Sequence, residues 1–224
     1  MADLVFDCVD AIAERYSAAP LITLKLRIAE SSGQRVDAIA LRCQIRIEPT
    51  RRRYSPEEAE HLVDLFGSPD RWSETAKPLQ LTTISVMVPG FTGSTTVDLP
   101  VPVSYDLEIA ATKYFHGLTE GSIPLLLLFS GTVFATNNGR LAVQQVPWSK
   151  ETSYGLPVAV WRESVDVHYP NSAWLPVRRD TLDALGRFKS RRALPTWDSV
   201  VTALLKTADY EETQHEETQH VETE

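Results

Sequence analysis

The alternation of apolar and polar residues is clearest between residues 97 and 148, where it predicts β-structure. Residues 123–129 are apolar apart from Pro124, as in a strand that is covered on both faces. The turn residues Asn137–Gly139 then lead into a third alternating segment. We therefore expect a three-strand meander, whose first strand would run from Val97 to Ala111. The positions that would share one face of this strand are Val101, Val103, Tyr105, Leu107, Ile109 and Ala111.

Two segments nearer the N-terminus alternate in the same way. Apolar residues occupy every second position from Ile22 to Ile28 and from Ile39 to Ile47, with basic residues between them. The residues Ser31–Gln34 are typical of a turn, so the two segments are predicted to form a hairpin. Further strands are predicted at Leu81–Val88 and at Val158–Val167.

Helix signals occur after the predicted hairpin and near the C-terminus. Ser55, Pro56 and Glu58 have the spacing of an N-cap, a first-turn proline and a capping box, and Gly67 suits a helix end. This pattern predicts a helix from Pro56 to Phe66. Apolar residues also recur at helical spacing after residues 180 and 196, which predicts two amphipathic helices.

Several short strands followed by helices favour an all-β fold. We expect an antiparallel β-sandwich with peripheral helices, one after the first hairpin and two at the C-terminus. An α+β roll is the alternative. Residues 1–206 show no change of composition and are expected to form one domain. Residues 207–224 contain the repeat EETQHEETQH and few apolar residues, so they are expected to form a disordered acidic tail.

The distribution of charge narrows the classes of partner. The net charge is −8, but seven of the 30 acidic residues follow Ala208 and no Lys or Arg does. The rest of the chain is therefore nearly neutral, which gives no support for nucleic-acid binding or for binding to an anionic membrane. No apolar run approaches the roughly 18 residues that indicate a membrane span.

The N-terminus and the cysteines favour a cytoplasmic protein. The first residues, MADLVFD, have neither the basic region nor the long apolar core of a signal peptide. Cys8 and Cys43 lack the spacing of a metal site and are expected to be small buried thiols. Whether they form a disulfide is left open by the sequence.

No established catalytic signature is present, and no cofactor is expected. The best candidate pair is Asp166 with His168, because two residues apart on a strand they would share a face and the carboxylate could orient the imidazole. No nucleophile accompanies them, so an enzymatic role is uncertain and the weaker expectation. His215 and His220 stand among glutamates and are weak candidates for binding a divalent cation.

Two groups of residues are candidates for binding a protein partner. Tyr169 and Trp174 lie in an aromatic-rich loop that would either close the core or anchor a partner. The run Arg51, Arg52 and Arg53, with further arginines on the strand before it, could receive an acidic segment.

Four segments resemble an uncharacterised bacterial family of unknown function. The resemblance covers residues 1 to about 206 and is carried by PVSYDLEIAATKYFHGL, IPLLLLFSGTVFA, VPWSKETSYGLPVAVW and HYPNSAWLPVRRDTLDALGRFK. Members are seen chiefly in actinobacteria and are often encoded near high-affinity nickel-iron hydrogenases. The resemblance implies an accessory or assembly partner of a multi-subunit redox enzyme, but it assigns no functional residue.

These observations favour a non-catalytic protein-interaction module. A β-sandwich that binds a small apolar or metal ligand is the first alternative, and a large apolar cavity would support it. A hydrolase that uses Asp166 and His168 is the second alternative, and a Ser or Cys within hydrogen-bond reach of His168 would support it.

The acidic tail gives the first testable prediction. Residues 209–224 have too little apolar surface to offset the entropy of ordering them, so their deletion should leave the melting temperature unchanged within error. Differential scanning calorimetry of the two chains measures this, and a decrease of several degrees would contradict it.

Overall fold

The computed structural model describes residues 2–104, 109–137, 140–170 and 176–207. The chain divides into two compact units, Met1–Leu175 and Pro176–Glu224. The sequence had indicated one domain that extends to residue 206. Within the described residues, the first unit contains all the strands and the second contains helices only. The expected tail beyond residue 207 lies outside the described residues.

The elements are as follows in chain order. The strands are β1 (Leu4–Ala13), β2 (Leu21–Glu30), β3 (Val36–Ile47), β4 (Leu79–Phe91), β5 (Ser94–Pro102), β6 (Ser122–Asn137), β7 (Arg140–Gln145) and β8 (Glu151–Pro157). The helices are α1 (Pro56–His61), α2 (Val63–Phe66), α3 (Trp72–Thr75), α4 (Ala110–His116), α5 (Val158–Asp166) and α6 (Arg179–Arg191). A further helix, α7, covers residues 197–207. Short 3₁₀ turns lie at Pro49–Arg51 and Pro69–Arg71.

The strands form two antiparallel sheets that pack face to face. The smaller sheet has the order β1-β2-β5. The larger sheet has the order β4-β3-β6, and both β7 and β8 pair with the other edge of β6. The rings of Phe6 and Phe129 stack between the sheets at a centroid distance of 4.3 Å. The predicted antiparallel β-sandwich with peripheral helices is confirmed.

The interior is built from the alternating residues of the central strands. On β3 the buried positions run through every second residue from Ile39 to Ile47, as the sequence pattern predicts. On β6 the inward residues are every second residue from Ile123 to Phe129, and Leu127 is fully buried. Between them, Leu126 on the opposite face is also almost fully covered. The prediction of a central strand that is apolar on both faces is therefore confirmed.

The predicted hairpin is wrong, and the predicted meander is correct only in its second step, in which β6 pairs with β7. β2 pairs with β1 and β5, whereas β3 pairs with β4 and β6, so residues 31–35 carry the chain from one sheet to the other. β5 likewise belongs to the smaller sheet and does not neighbour β6. Pro100 and Pro102 lie on this edge strand, where their missing N–H groups leave no gap in the pairing with β2.

Two segments that were predicted to be strands are helices. The predicted strand Val97–Ala111 ends at Pro102, and its last residues, Ala110 and Ala111, begin α4. The predicted strand Val158–Val167 is α5. Helical spacing is present in both segments, because the buried residues recur three, four or seven positions apart. These buried residues are Ala111, Tyr114, Phe115 and Leu118 in the first segment and Val158, Trp161 and Val165 in the second.

Gly131 marks the point on β6 where its second neighbour changes from β8 to β7. Its φ is 145°, and a Cβ added there would lie 2.1 Å from the carbonyl oxygen of Ala40 on β3. Only glycine permits this approach between the two backbones. The carbonyl of Gly131 accepts a hydrogen bond from the amide of Val146, which holds the end of β7 against β6.

A buried ion pair fixes α1 to the strands. The predicted capping box at Ser55 and Glu58 is present, and Glu58 is only 2% exposed. The Arg52 guanidinium donates to both carboxylate oxygens of Glu58, at 2.7 and 2.8 Å. It also donates to the carbonyls of Glu120 and Ser122, each at 3.1 Å. One arginine therefore joins the loop before α1, the helix itself and the segment that enters β6.

Hydrogen bonds keep the Glu58 carboxyl ionised despite its burial. Burial raises the pKa of Glu58, but the amides of Thr119 and Ser55 and the Arg52 guanidinium outweigh it, and the pKa lies below its ordinary value of 4.5. Next to this pair, the hydroxyls of Tyr54 and Tyr114 are 2.8 Å apart, and Arg52 lies over the Tyr54 ring. The carboxylate form is thus the one that the surrounding structure accommodates.

The β6 assignment predicts a large effect of one truncation. Leu127→Ala should lower the free energy of unfolding by about 2–5 kcal/mol, because apolar contacts are lost and a cavity remains. Leu141→Ala on β7 is the matched control, since Leu141 is 68% exposed. Urea unfolding followed by circular dichroism measures both. A change at Leu127 no larger than that at Leu141 would contradict the packing described here.

The Arg52–Glu58 pair predicts a pH dependence of stability. The folded-state pKa of Glu58 is below its unfolded value, so ionised Glu58 stabilises the fold above pH 4.5, and this contribution disappears as the pH falls through the folded-state pKa. Glu58→Gln should therefore lose about 3 kcal/mol at pH 7 and differ less from the wild type at pH 3. Urea titrations at the two pH values measure the difference.

Asp64→Asn provides the control for this titration. Asp64 pairs with Lys113 at 2.7 Å, but its side chain is 79% exposed, so its removal should change stability far less at pH 7. If Glu58→Gln and Asp64→Asn lowered the free energy of unfolding equally at pH 7, the buried pair would contribute no more to stability than the exposed one.

Candidate interaction surface

The outward-facing side of the larger sheet carries arginines beside neutral neighbours. Arg42 and Arg46 are four residues apart on β3, so their side chains point to the same face, which is the outer side of the sheet. The register places Arg42 between Ser85 and Ser130, and Arg46 between Gln80 and Leu126. Within the described residues, neither arginine takes part in an ion pair. Their charges are therefore available to a binding partner.

Arg51 extends this basic surface. Its Nη1 donates to Ser153 Oγ on β8 at 2.8 Å, and Ser153 lies on the outer side of the sheet next to Leu126. We call the surface formed by Arg42, Arg46, Arg51 and Trp148 the arginine face. The strand register also places the carboxylate of Glu151 on this side, opposite Leu128.

A groove of about 400 Å³ crosses the arginine face. Trp148, in the turn after β7, stands at its edge and is 91% exposed. The groove therefore combines an aromatic wall, a guanidinium and small polar groups, a composition that is typical of protein-recognition sites. Its lining residues are Arg42, Gln44, Thr83, Leu128, Phe129, Ser130 and Trp148.

The smaller sheet shows the opposite arrangement of charge. On its outer side Arg27 faces Asp7 across the strands at 2.6 Å, and Lys25 faces Asp98 at 2.8 Å. Both basic residues are thus neutralised by a direct cross-strand partner. Of the two sheets, the larger one carries arginines without ion-pair partners on its outer side, within the described residues.

The three arginines of the run 51–53 have different environments. Arg51 belongs to the arginine face, whereas Arg52 is occupied in the buried pair with Glu58. Arg53 is exposed, and its carbonyl accepts a hydrogen bond from Arg52 Nε at 3.3 Å. Of the run, Arg51 and Arg53 therefore present charge to the solvent, and Arg52 supports the fold.

The structure describes Tyr169 of the two aromatic candidates. Tyr169 is half-buried and packs against the core after α5. Trp174 lies outside the described residues. Tyr169 thus belongs at least in part to the core.

Asp166 and His168 do not share a face, because their segment is helical and residues two apart on a helix point in different directions. His168 Nδ1 lies 3.0 Å from the Ser164 carbonyl, and Nε2 lies 2.8 Å from the Ser17 carbonyl. Ser17 Oγ is also 3.4 Å from Nε2. The Ser17 hydroxyl, however, is directed to the carbonyls of Glu14 and Ala19, and both imidazole nitrogens face carbonyls. This geometry ties the loop after β1 to α5.

The remaining titratable candidates are few. No group of three or more His, Cys, Asp or Glu in the described ranges could hold a metal ion, and His215 and His220 lie beyond those ranges. Cys8 and Cys43 are free and buried, and burial raises the pKa of each thiol to about 12. Both thiols are thus kept protonated, which disfavours nucleophilic chemistry at either sulfur.

Sequence reasoning missed Trp148 as a surface residue. Its signal was available: a tryptophan between Pro147 and Ser149, just beyond an alternating strand, lies in a turn and not in a core position. The groove itself was not predictable, because β3, β4 and β6 become neighbours only in the folded chain.

Curated sequences and solved structures give no basis for assigning a function to the chain. No curated protein sequence matches the chain. Among solved structures, β-glucosidase 3B from Thermotoga neapolitana aligns with a TM-score of 0.25 and 12% identity, over 69% of this chain and 17% of that chain. A likeness at this level supports no argument about fold or activity.

No helix in the described parts of the chain is both long and apolar enough to cross a membrane. A family model matches residues 1–213 of the chain. Its members have no known function, as expected from the resemblance seen in the sequence. The chain belongs to this family of unknown function, DUF6084.

Proposed function

We propose that the protein is a non-catalytic interaction module that binds a protein partner on the arginine face. The observation that carries this proposal is that Arg42, which has no carboxylate partner in the described structure, shares a groove with the 91% exposed Trp148 on the same side of the sheet as Arg46. Tryptophan and arginine are among the residue types that are enriched at interface hot spots. A surface of unpaired positive charge also accelerates encounter with an acidic partner.

The shape of the arginine face supports a macromolecular partner. The groove opens on a sheet surface, whereas sites for small molecules enclose most of the ligand. Apolar side chains on the same side of the sheet extend the contact area, since Met87 is 65% and Val143 57% exposed. Apolar surface bordered by charge is the arrangement found at transient interfaces.

The proposed partner is a component of a redox enzyme assembly of the nickel-iron hydrogenase type. The support for this partner is the resemblance of the sequence to a family often encoded beside such enzymes in actinobacteria. In this role the protein would act as an accessory or assembly factor in the cytoplasm. The free, protonated thiols of Cys8 and Cys43 are compatible with a reducing compartment.

The proposal predicts that charge reversal on the arginine face abolishes partner binding. The full-length chain with Arg42→Glu and Arg46→Glu, used as bait in a lysate of the native organism, should recover at least thirtyfold less partner than the wild-type chain. The reason is that hot-spot residues contribute about 2 kcal/mol or more to binding. Trp148→Ala should have a similar effect. Quantitative mass spectrometry of affinity-purified material measures the recovery.

The matched control reverses two charges elsewhere on the same unit. Arg71 and Lys77 are exposed, lie outside the arginine face and take part in no ion pair of the described structure. Arg71→Glu with Lys77→Glu should leave recovery unchanged, and all variants should keep the wild-type melting temperature. Equal loss in both double variants would refute the site, and recovery of no specific protein by the wild type would refute the module.

A further inference from the structure

The C-terminal helices leave most of their apolar surface uncovered. Helix α6 contains no buried residue, and Val200 is the buried residue of the described part of this unit. Helices gain most of their stability by packing an apolar face, so this face is suited to receive another surface. The large apolar side chains that remain exposed are Val177, Leu182, Trp197, Val201, Leu204 and Leu205.

A groove of about 710 Å³ runs along α6 beside the start of α7. Its apolar part is formed by Leu182 and Trp197, which are 45% and 49% exposed. Gly186 contributes no side chain, and a Cβ added there would lie 3.9 Å from the Trp197 ring. The absence of a side chain at Gly186 therefore keeps the groove open. Its polar lining is Asp183, Arg187, Ser190 and Arg191.

The described helices of this unit carry a charge that complements an acidic ligand, whereas the seven acidic residues that follow Ala208 lie outside them. Residues 176–207 contain seven Lys and Arg against three Asp and Glu. Arg187 and Arg191 are four residues apart, so they lie on one side of α6, and neither forms an ion pair in the described structure. Lys189 and Arg192 lie over the rings of Trp197 and Phe188, which adds positive charge beside the apolar surface.

We propose that this groove is a second docking site, which takes an acidic amphipathic helix of a protein partner. An apolar side chain of that helix fills the space above Gly186, between Leu182 and Trp197. Carboxylates one turn apart on the same helix pair with Arg187 and Arg191, which have the same spacing on α6. This is the helix-in-groove mode of recognition. It uses no residue of the arginine face, so it stands or falls separately.

Other occupants fit the groove less well. A second copy that docked through the same groove would place its own Arg187 and Arg191 against these arginines, which opposes association. An anionic bilayer is flat and would not fill the concave space above Gly186. A helix with apolar and acidic residues satisfies both the concave apolar floor and the basic rim.

The test measures binding of a defined probe to the full-length chain. The probe is a fluorescein-labelled 16-residue peptide with leucines on one helical face and glutamates one turn apart beside them. We expect saturable binding by fluorescence anisotropy, which weakens as salt is raised. The same peptide with glutamine in place of glutamate should bind at least tenfold more weakly.

Three variants separate groove binding from general attraction. Arg187→Glu with Arg191→Glu should weaken binding at least tenfold, and Gly186→Leu should do so without a change of charge. Arg179→Glu with Lys206→Glu makes the same change of charge outside the groove and should weaken binding less than threefold. Circular dichroism should show unchanged helix content. If a reversal disturbs the fold, Arg187→Gln with Arg191→Gln replaces it.

Four results would overturn the proposal. The first is an equal effect of the two charge reversals, or no effect of Gly186→Leu. The second is binding to phosphatidylserine vesicles, sensitive to Arg187 and Arg191, without binding of the peptide. The third is a dimer in sedimentation velocity that Gly186→Leu dissociates. The fourth is peptide binding more than tenfold tighter by a chain that ends at Thr207, which would assign the groove to the acidic residues that follow.

Discussion

The pairing of Arg52 with Glu58 is the interaction on which one end of the sandwich depends. A carboxylate with 2% exposure is tolerated only because a guanidinium and several amide groups replace the lost water. The same guanidinium satisfies the carbonyls of Glu120 and Ser122 at the entry to β6. The central strand of the larger sheet is therefore positioned by the loop that follows β3. If the pair were broken, α1 and the entry to β6 would lose the contacts that join them. The adjacent hydrogen bond between Tyr54 and Tyr114 would lose its support.

The two sheets differ in the pairing of charges on their outer sides, and the proposed binding surface rests on this difference. Opposite charges face each other across the strands of the smaller sheet, which makes that side electrostatically complete. In the larger sheet, Arg42 and Arg46 have serine, glutamine and leucine as cross-strand neighbours. Basic side chains on a β-strand also discourage edge-to-edge and face-to-face aggregation, so an unpaired arginine has a purely protective explanation as well. The exposed Trp148 beside them has no such explanation, because an aromatic ring in water promotes association.

The sequence predicts the elements better than it predicts their partners. Alternation predicts β2 and β3, a continuous apolar run predicts β6, and the capping box marks the start of α1. The segments at α4 and α5 are short and satisfy both periods: Ile109 and Ala111 suit a strand, whereas Ala111, Tyr114 and Phe115 suit a helix. Only the surfaces that cover them decide between these alternatives.

Strand pairing is likewise a property of the packed interior, since β2 and β3 are consecutive in the chain but belong to different sheets. The arginine face could be placed in part, because a period of two puts Arg42 and Arg46 on one side of a strand. The neighbours that leave them unpaired come from distant strands.

The crossing of the chain between sheets also determines the order in which the molecule can be completed. All three strands of the smaller sheet have been synthesised when residue 102 is reached, whereas the larger sheet still lacks β6, β7 and β8. Until these strands appear, β3 has one neighbour and the apolar inner sides of both sheets lack much of their cover. Contacts between such distant segments form slowly and expose apolar surface during synthesis. A fragment that stops before Pro157 cannot contain a complete larger sheet, so any shortened version of the protein has to keep β8 if it is to fold.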